Sequence, residues 1–393
     1  MPYLKEVIAD VLENYPDKID RLVFVTTGKR PALFLKKYFA EQVKHATIAP
    51  EFIGIADLFT RISGVQPIST LPLLFEFYDC YTKVHQKQYK DAPDTFEEFL
   101  SWGQTALKDF SEIDQYLVNP DKIFPYIHAL KEVEHWSGMD ERTEMQEKYL
   151  AFWRRLGDYY FALNKRLEEL GKGYGGYIAK KAVEKLPQYL QTHTDTIHIF
   201  VGFNALSEAE QKVIQSILID IGGEIYWDGD TYFLKNQTHE AGYFLRKYLK
   251  NWRYYNTPNH TPKFIGSHYE EEKEIHLTGV PKNVNQAHSV AALLKELPSA
   301  ELEKTALIIA DENLLIPMLQ SVQTGTAVNI TMGYPLQQTP LNDLFTTYFR
   351  LHLSKSFYYK DVLNLLSQPF LHSLLSAEAV TTIATYIKEN NLT

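Results

Sequence analysis

The sequence predicts an α/β protein in which parallel-sheet domains carry large all-helical insertions, and three observations lead there. Short apolar runs of strand length, at 22–25, 197–201 and 224–227, are each followed by a loop and an amphipathic helical pattern. Between the first two runs, from 71 to 190, strand signals vanish and apolar residues recur at three- and four-residue spacing. Past a turn-rich stretch at 256–263, the alternation of strand and helix begins again.

The run Leu22, Val23, Phe24, Val25 leads through Thr26, Thr27, Gly28, Lys29 and Arg30 to Pro31, which suits a first helical turn, where its missing N–H would be unpaired anyway. Residues 47–55 read as extended, with Pro50 pointing to an edge or an irregular start; residues 56–62 read as a helix stopped by Ser63 and Gly64. Asp94, followed three positions later by Glu97, reads as a capping box opening a helix through Phe99, Trp102, Leu107 and Phe110. Residues 145–170 place Tyr149, Phe152, Trp153, Leu156, Tyr160 and Leu163 on a wide apolar face. Ser207 and Glu210 cap a helix bearing Val213, Ile214, Ile217 and Leu218. Gly222 and Gly223 precede the strand at 224–227, which ends at Asp228, Gly229 and Asp230, and an aromatic, basic helix covers 240–255.

After the linker, strands are expected at 275–280, 305–310 and 328–331, with helices at 283–297 and 312–322. Thr339 and Pro340 open a helical tail. The expected organisation is a first α/β domain from 1–70 plus 191–255, a helical insertion at 71–190, the start of a second α/β domain at 256–338 and a further helical insertion at 339–393. Two or three strands are few for an independent sheet, so the second domain is expected to continue beyond Thr393.

Composition bounds the function. Hydrophobic residues at 45% and charged residues at 23% over 393 positions describe a folded chain. The single cysteine, Cys80, lies in an aromatic run and reads as a buried small hydrophobe, so no disulfide framework is available. The first residues read as an amphipathic helix and not as a targeting segment, and no apolar run approaches the roughly 18 residues of a membrane span, which together give a cytoplasmic expectation. A net charge of −9 argues against broad affinity for nucleic acid and leaves room for a local basic track. The 26 Tyr, 22 Phe and 5 Trp point first to packing, in cores and interfaces.

The motifs of familiar catalytic chemistry are broken or missing in the sequence. Thr27, Gly28, Lys29 and Arg30 form a degenerate phosphate loop: the leading glycine and the magnesium-binding hydroxyl after the lysine are missing, and Pro31 removes a backbone N–H. The strand at 197–201 leads to Asn204, which cannot act as a general base where a nucleotide hydrolase would carry an acid. Asp228 and Asp230 could hold a cation at a strand end, but read as turn chemistry without a third ligand. The Pro-Asp pairs lack a matching strand with Glu-x-Lys, and the 13 histidines form no triad. No catalytic residue, metal or cofactor is expected in this chain. Interleaved aromatic and basic residues from 243 to 255 match the stacking and phosphate contacts that hold single strands, and also match an amphipathic helix burying Phe244, Leu245, Tyr248, Leu249 and Trp252.

Several segments, in their order and spacing, resemble the N-terminal helicase-like region of AddB-type proteins. They are 28–34, 50–58, the helix 102–118 with Asp109, Phe110, Ser111, Glu112, Ile113 and Asp114, then 201–207, and Gly333, Tyr334, Pro335, Leu336 before Thr339, Pro340, Leu341. The closest likeness is to the Bacteroidetes-type inactivated superfamily I helicase group joined to a C-terminal Pro-Asp, Asp/Glu-x-Lys nuclease domain. Residues 358–363 and 366–369 look like the entry to the helical insertion of a second helicase domain. The resemblance implies helicase-like, RecA-like domains that have lost ATP hydrolysis. It also implies a non-catalytic role, binding single-stranded DNA beside an AddA-like helicase-nuclease subunit in double-strand break processing, with the nuclease outside this chain. Lys29, Arg30 and Asn204 are nominated as DNA contacts by position, and Arg246, Lys247, Lys250, Trp252 and Arg253 by composition. The competing expectations are an active nucleotide-dependent enzyme with an unorthodox loop and a scaffold that binds only protein.

Overall fold

The computed structural model describes residues 2–390 apart from 45, 90–91, 137–142, 257–259, 265–266, 323–326, 354–355 and 372–373, and excludes the side chains of 134–136 and 264. The chain divides into two compact units, Met1–Lys273 and Glu274–Thr393.

The first unit opens with α1 (Tyr3–Asn14), β1 (Leu22–Thr26), α2 (Lys29–Gln42), β2 (Glu51–Gly54), α3 (Ile55–Ser63) and β3 (Gln66–Pro67). Four long helices follow: α4 (Thr70–Gln88), α5 (Phe96–Gln115), α6 (Pro120–Trp136) and α7 (Glu144–Leu170). The chain returns through β4 (Lys172–Gly173) and α8 (Gly175–Thr192) to β5 (Ile197–Phe203), α9 (Glu208–Asp220), β6 (Gly223–Trp227), α10 (Thr231–Lys235), α11 (Tyr243–Asn251) and β7 (Lys263–Phe264). The main sheet is parallel, in the order β2-β1-β5-β6-β7, and β3 pairs with β4 as a separate two-residue neck.

Every residue of β1 is buried because helices cover both faces of the sheet, the setting in which strands read as continuous apolar runs. On one face Phe24, Ile199, Val201 and Tyr226 meet Val7, Ile8 and Val11 of α1 with Leu35 and Phe39 of α2. On the other, Val23, Val25, Ile53, Phe200, Ile225 and Trp227 meet residues of α3, α8, α9 and α11. Each such aliphatic or aromatic side chain stabilises the fold by about 1.5–3 kcal/mol on burial.

The helical region has its own core around Phe77, Phe99, Phe110, Tyr160, Leu163 and Leu167. Among the described residues its one buried carboxylate, Asp114, accepts hydrogen bonds from the Tyr160 hydroxyl, from the Tyr174 hydroxyl at 2.6 Å and from Lys180 Nζ at 3.1 Å. Helix α8 belongs to both bodies: Tyr177 enters the helical core, while Ile178, Ala182, Leu186 and Tyr189 enter the sheet core. Where α8 crosses α5, the Gly176 N–H donates to Ser111 Oγ at 3.1 Å. A Cβ on Gly176 would lie 2.1 Å from the Ser111 carbonyl oxygen, so only glycine permits this approach.

Three expectations change. The capping box of α5 lies one residue later, at Thr95 with Glu98, and the Asp94 carboxylate instead accepts from Trp102 Nε1 at 3.0 Å. The first unit does not stop at 255, because β7 pairs in parallel with β6 and carries the boundary to Lys273. Residues 257–259 of the expected linker lie outside the described residues. The expected strands at 275–280, 305–310 and 328–331 are not formed, and the described residues of the second unit contain no strand. Alternating apolar residues there stay in solvent, with Leu277 94% and Ile308 89% exposed, because no neighbouring strand takes up their backbone N–H and C=O groups. The second unit is helical: α12 (Asn283–Glu296), α13 (Ser299–Leu302), α14 (Leu315–Ser321), α15 (Pro340–Leu353), α16 (Tyr359–Leu366) and α17 (Ala377–Glu389). The helix expected to run on to Thr393 is described only as far as 390. Cys80 is buried, which pushes its thiol up to about 11. No helix among the described residues is long and apolar enough to cross a membrane.

One buried histidine gives the fold a pH dependence. His198 of β5 lies with Nε2 2.9 Å from the Tyr189 hydroxyl, and burial, aided by His193 and Arg61, holds its pKa at about 4. Between pH 6.5 and 4 the unfolded chain therefore binds a proton that the folded chain refuses. The contribution is complete above pH 6.5 and is lost as pH falls toward 4, by about 3 kcal/mol. Urea unfolding of the protein and of His198→Gln at pH 7 and pH 4 should show that much less pH dependence in the variant; equal dependence would refute the assignment.

Candidate nucleic-acid interface

In the sheet order, β1 stands between β2, which follows it in the chain, and β5, which follows the helical insertion. The connection after β1 leads to β2 on one side and the connection after β5 leads to β6 on the other, and the crevice beyond the carboxyl ends of β1 and β5 is where open α/β sheets place ligands. β1 ends at Thr26, whose Oγ1 donates toward the Gly28 carbonyl at 2.7 Å and the Ile53 carbonyl at 3.3 Å, tying the loop down onto β2. Gly28 is the extended N-cap of α2, and Lys29 and Arg30 follow as exposed residues. Beside it the Gly54 N–H donates to Asp57 Oδ2 at 3.1 Å, closing the start of α3. β5 ends in a bulge, with Gly202 at φ 75 and the register shifting between Val201 and Phe203, and Asn204 is exposed just beyond. Lys29, Arg30 and Asn204 therefore stand at one edge, past neighbouring strands.

This edge can attract an anion. The helix offers cations and backbone amides, but Arg30 occupies the place of a metal-binding hydroxyl and Pro31 has no N–H to give. Asp230 serves as a cap: it accepts from the Tyr232 N–H and the Tyr269 N–H, both at 2.8 Å, and these bonds hold its carboxyl below the ordinary value. Partial burial pushes the Asp228 carboxyl the other way. Among the described residues no group of three or more His, Cys, Asp or Glu is placed to hold a metal ion.

The second nominated set, along α11, divides in two. Trp252 is 2% exposed and donates from Nε1 to Gln211 Oε1 at 3.2 Å, so it packs against Trp227 and Tyr248 and offers no face to a base. Arg246 is taken up by the protein itself: its guanidinium donates to the carbonyls of Phe233, Asn236, Gln237 and His239, fixing the loop before α11. Both are corrections, and both follow from the inward direction of these side chains. Lys247, Lys250 and Arg253 are exposed.

No family model and no curated protein matches this chain.

Tyr243, Lys247 and Lys250 fall at i, i+4 and i+7 on the outer face of α11, while Leu245 and Tyr248 are buried on the inner face. Phe244, expected in the core under the amphipathic reading, is exposed beside Tyr243, their rings 5.3 Å apart. The exposed rings here are thus Tyr243 and Phe244 and not Trp252. The composition of 243–255 announced such a mixture but not which rings turn outward.

Proposed function

We propose that this chain is a non-catalytic, helicase-like module that binds single-stranded DNA and works beside a motor subunit of the AddA type in double-strand break processing. The observation that carries the reading is the outer face of α11, where exposed Tyr243 and Phe244 stand with Lys247 and Lys250, and exposed Arg253 follows just past the helix end. Exposed rings stack on bases of any sequence, and lysine and arginine follow the phosphates. The parallel sheet with helices on both faces is compatible with a RecA-like domain, and the degraded phosphate loop supports a role without nucleotide hydrolysis.

The test is fluorescence anisotropy of a labelled single-stranded oligonucleotide at low and moderate salt. The reading expects saturable binding that weakens with salt, and a loss of about tenfold or more on combining Lys247→Glu with Arg253→Glu. Unchanged affinity in that variant would remove α11 from the interface, and no binding at low salt would favour a scaffold that binds only protein.

A further inference from the structure

Helix α2 carries Lys29, Arg30, Lys36 and Lys37 against one carboxylate, Glu41, which Lys5 holds at 3.4 Å. In a chain of net charge −9 this is a local reversal of sign. Ala32, Leu35 and Phe39 point into the sheet core, so the remaining positions form two outward rows. Arg30, Phe34, Lys37 and the half-buried Tyr38, which also packs against the sheet core, make one row, and Lys29, Leu33 and Lys36 the next. The two pairs of cations lie roughly 10 Å apart, two turns of helix. Between them Leu33 is 66% and Phe34 41% exposed, where a solvent-facing helix would ordinarily carry polar residues. The Phe34 ring lies 6.3 Å from that of Tyr38, tilted by 31°, so two neighbouring rings share the row. Lys36 Nζ is 5.9 Å from the centre of the Phe52 ring.

A ligand matched to this face needs flat apolar surfaces alternating with negative charges. We propose that the outer face of α2 is a contact surface for a single nucleic-acid strand, with Phe34 and Tyr38 receiving bases and Lys29, Arg30, Lys36 and Lys37 receiving phosphates. The assignment rests on the single-strand reading above and extends it to Phe34, Lys36, Lys37 and Tyr38. It is continuous with the crevice, because α2 starts at the carboxyl end of β1. It also differs from α11 in location, since α2 and α11 cover opposite faces of the sheet.

The experiment is the same titration over a series of salt concentrations, with Phe34→Ala, with Lys36→Glu combined with Lys37→Glu, and with the α11 double reversal. Phe34→Ala should weaken binding at least about fivefold through lost stacking, with the salt dependence kept. The α2 double reversal should weaken binding more than about tenfold and lower the slope of log affinity on log salt by about 1.4, the share of two phosphate contacts on a single strand. Thermal unfolding should be unchanged, since these side chains are exposed. If both α2 variants bind like the parent while the α11 variant is weakened, the α2 surface is overturned and the single-strand reading survives. If the parent binds no oligonucleotide at low salt, that reading itself fails. If polyglutamate displaces the oligonucleotide as well as an unlabelled strand does and Phe34→Ala changes nothing, the face belongs to an acidic protein partner and the assignment is overturned.

Discussion

Gly223→Ala is expected to abolish the soluble folded protein, whereas Gly222→Ala, one position earlier, is expected to cost only about 1–3 kcal/mol. Both glycines have positive φ, 100 for Gly222 and 130 for Gly223, so each substitution strains the backbone. They differ in what a new methyl group would meet. At Gly222 it would find nothing within 4 Å. At Gly223 it would lie 2.1 Å from the His198 carbonyl oxygen and 3.0 Å from the carbonyl carbon. These are backbone atoms of the partner strand, and no side-chain rotation relieves them. β5 is also held by β1 on its far side, so it cannot yield without breaking a second ladder. The expected loss exceeds about 4 kcal/mol, the range reserved for strain at special backbone positions and broken cores. Soluble yield and urea unfolding of the two variants measure the difference, and equal stability would show that the sheet accommodates the methyl group.

Asp114→Ala is expected to destabilise the helical region by about 3–5 kcal/mol. The carboxylate is 1% exposed and serves three donors: Tyr160 from α7, Tyr174 at the entry to α8 and Lys180 from α8. Its removal takes the acceptor from the buried Tyr160 hydroxyl and leaves Tyr174 only the longer bond to Asn164 Oδ1 at 3.2 Å, and an unsatisfied buried group costs about 1–3 kcal/mol. The Lys180 ammonium is partly exposed and can turn toward water, which keeps the loss below that of a fully enclosed ion pair. Burial and the neighbouring carboxylate push both phenols well above their ordinary pKa, so they remain donors through the neutral range. Asp114→Asn, which keeps an acceptor oxygen, should recover part of the loss. A melting temperature unchanged in Asp114→Ala would mean that water fills the place of the carboxylate.

How much of this was legible in the sequence depended on whether the signal was local. The strands β1, β5 and β6 announced themselves as apolar runs because both faces of the sheet are covered, and the Ser207 cap was visible as a four-residue pattern. The apolar alternation at 275–280 and 305–310 gave the same local signal without forming strands, since a strand depends on neighbours that no window of sequence contains. At α11 composition was legible and direction was not: Arg246 and Trp252 lie among the same residue types as Lys247 and Arg253, yet turn into the protein. Asp114 could have been singled out, because it continues the stripe Phe99, Gly103, Ala106, Leu107 and Phe110 that is otherwise apolar or small. An acid on such a stripe asks for partners elsewhere in the chain, and Tyr160, Tyr174 and Lys180 lie too far along for spacing alone to name them.

The short neck made by β3 and β4 also bears on how the protein assembles. Leu22 and Ile197 are partners in the central ladder although the four long helices and α8 lie between them in the chain. Because Gln66 pairs with Lys172, those four helices leave the chain path about where they entered it, with their ends roughly one strand spacing apart, about 4.8 Å. If they collapse first, the polymer segment that must close to bring β5 to β1 becomes much shorter. Each halving lowers the closure entropy by only about 0.6 kcal/mol, yet a search dominated by distant pairings is the slow step of parallel sheets. A helical body that closes on itself early turns the hardest pairing in this protein into a nearly local one.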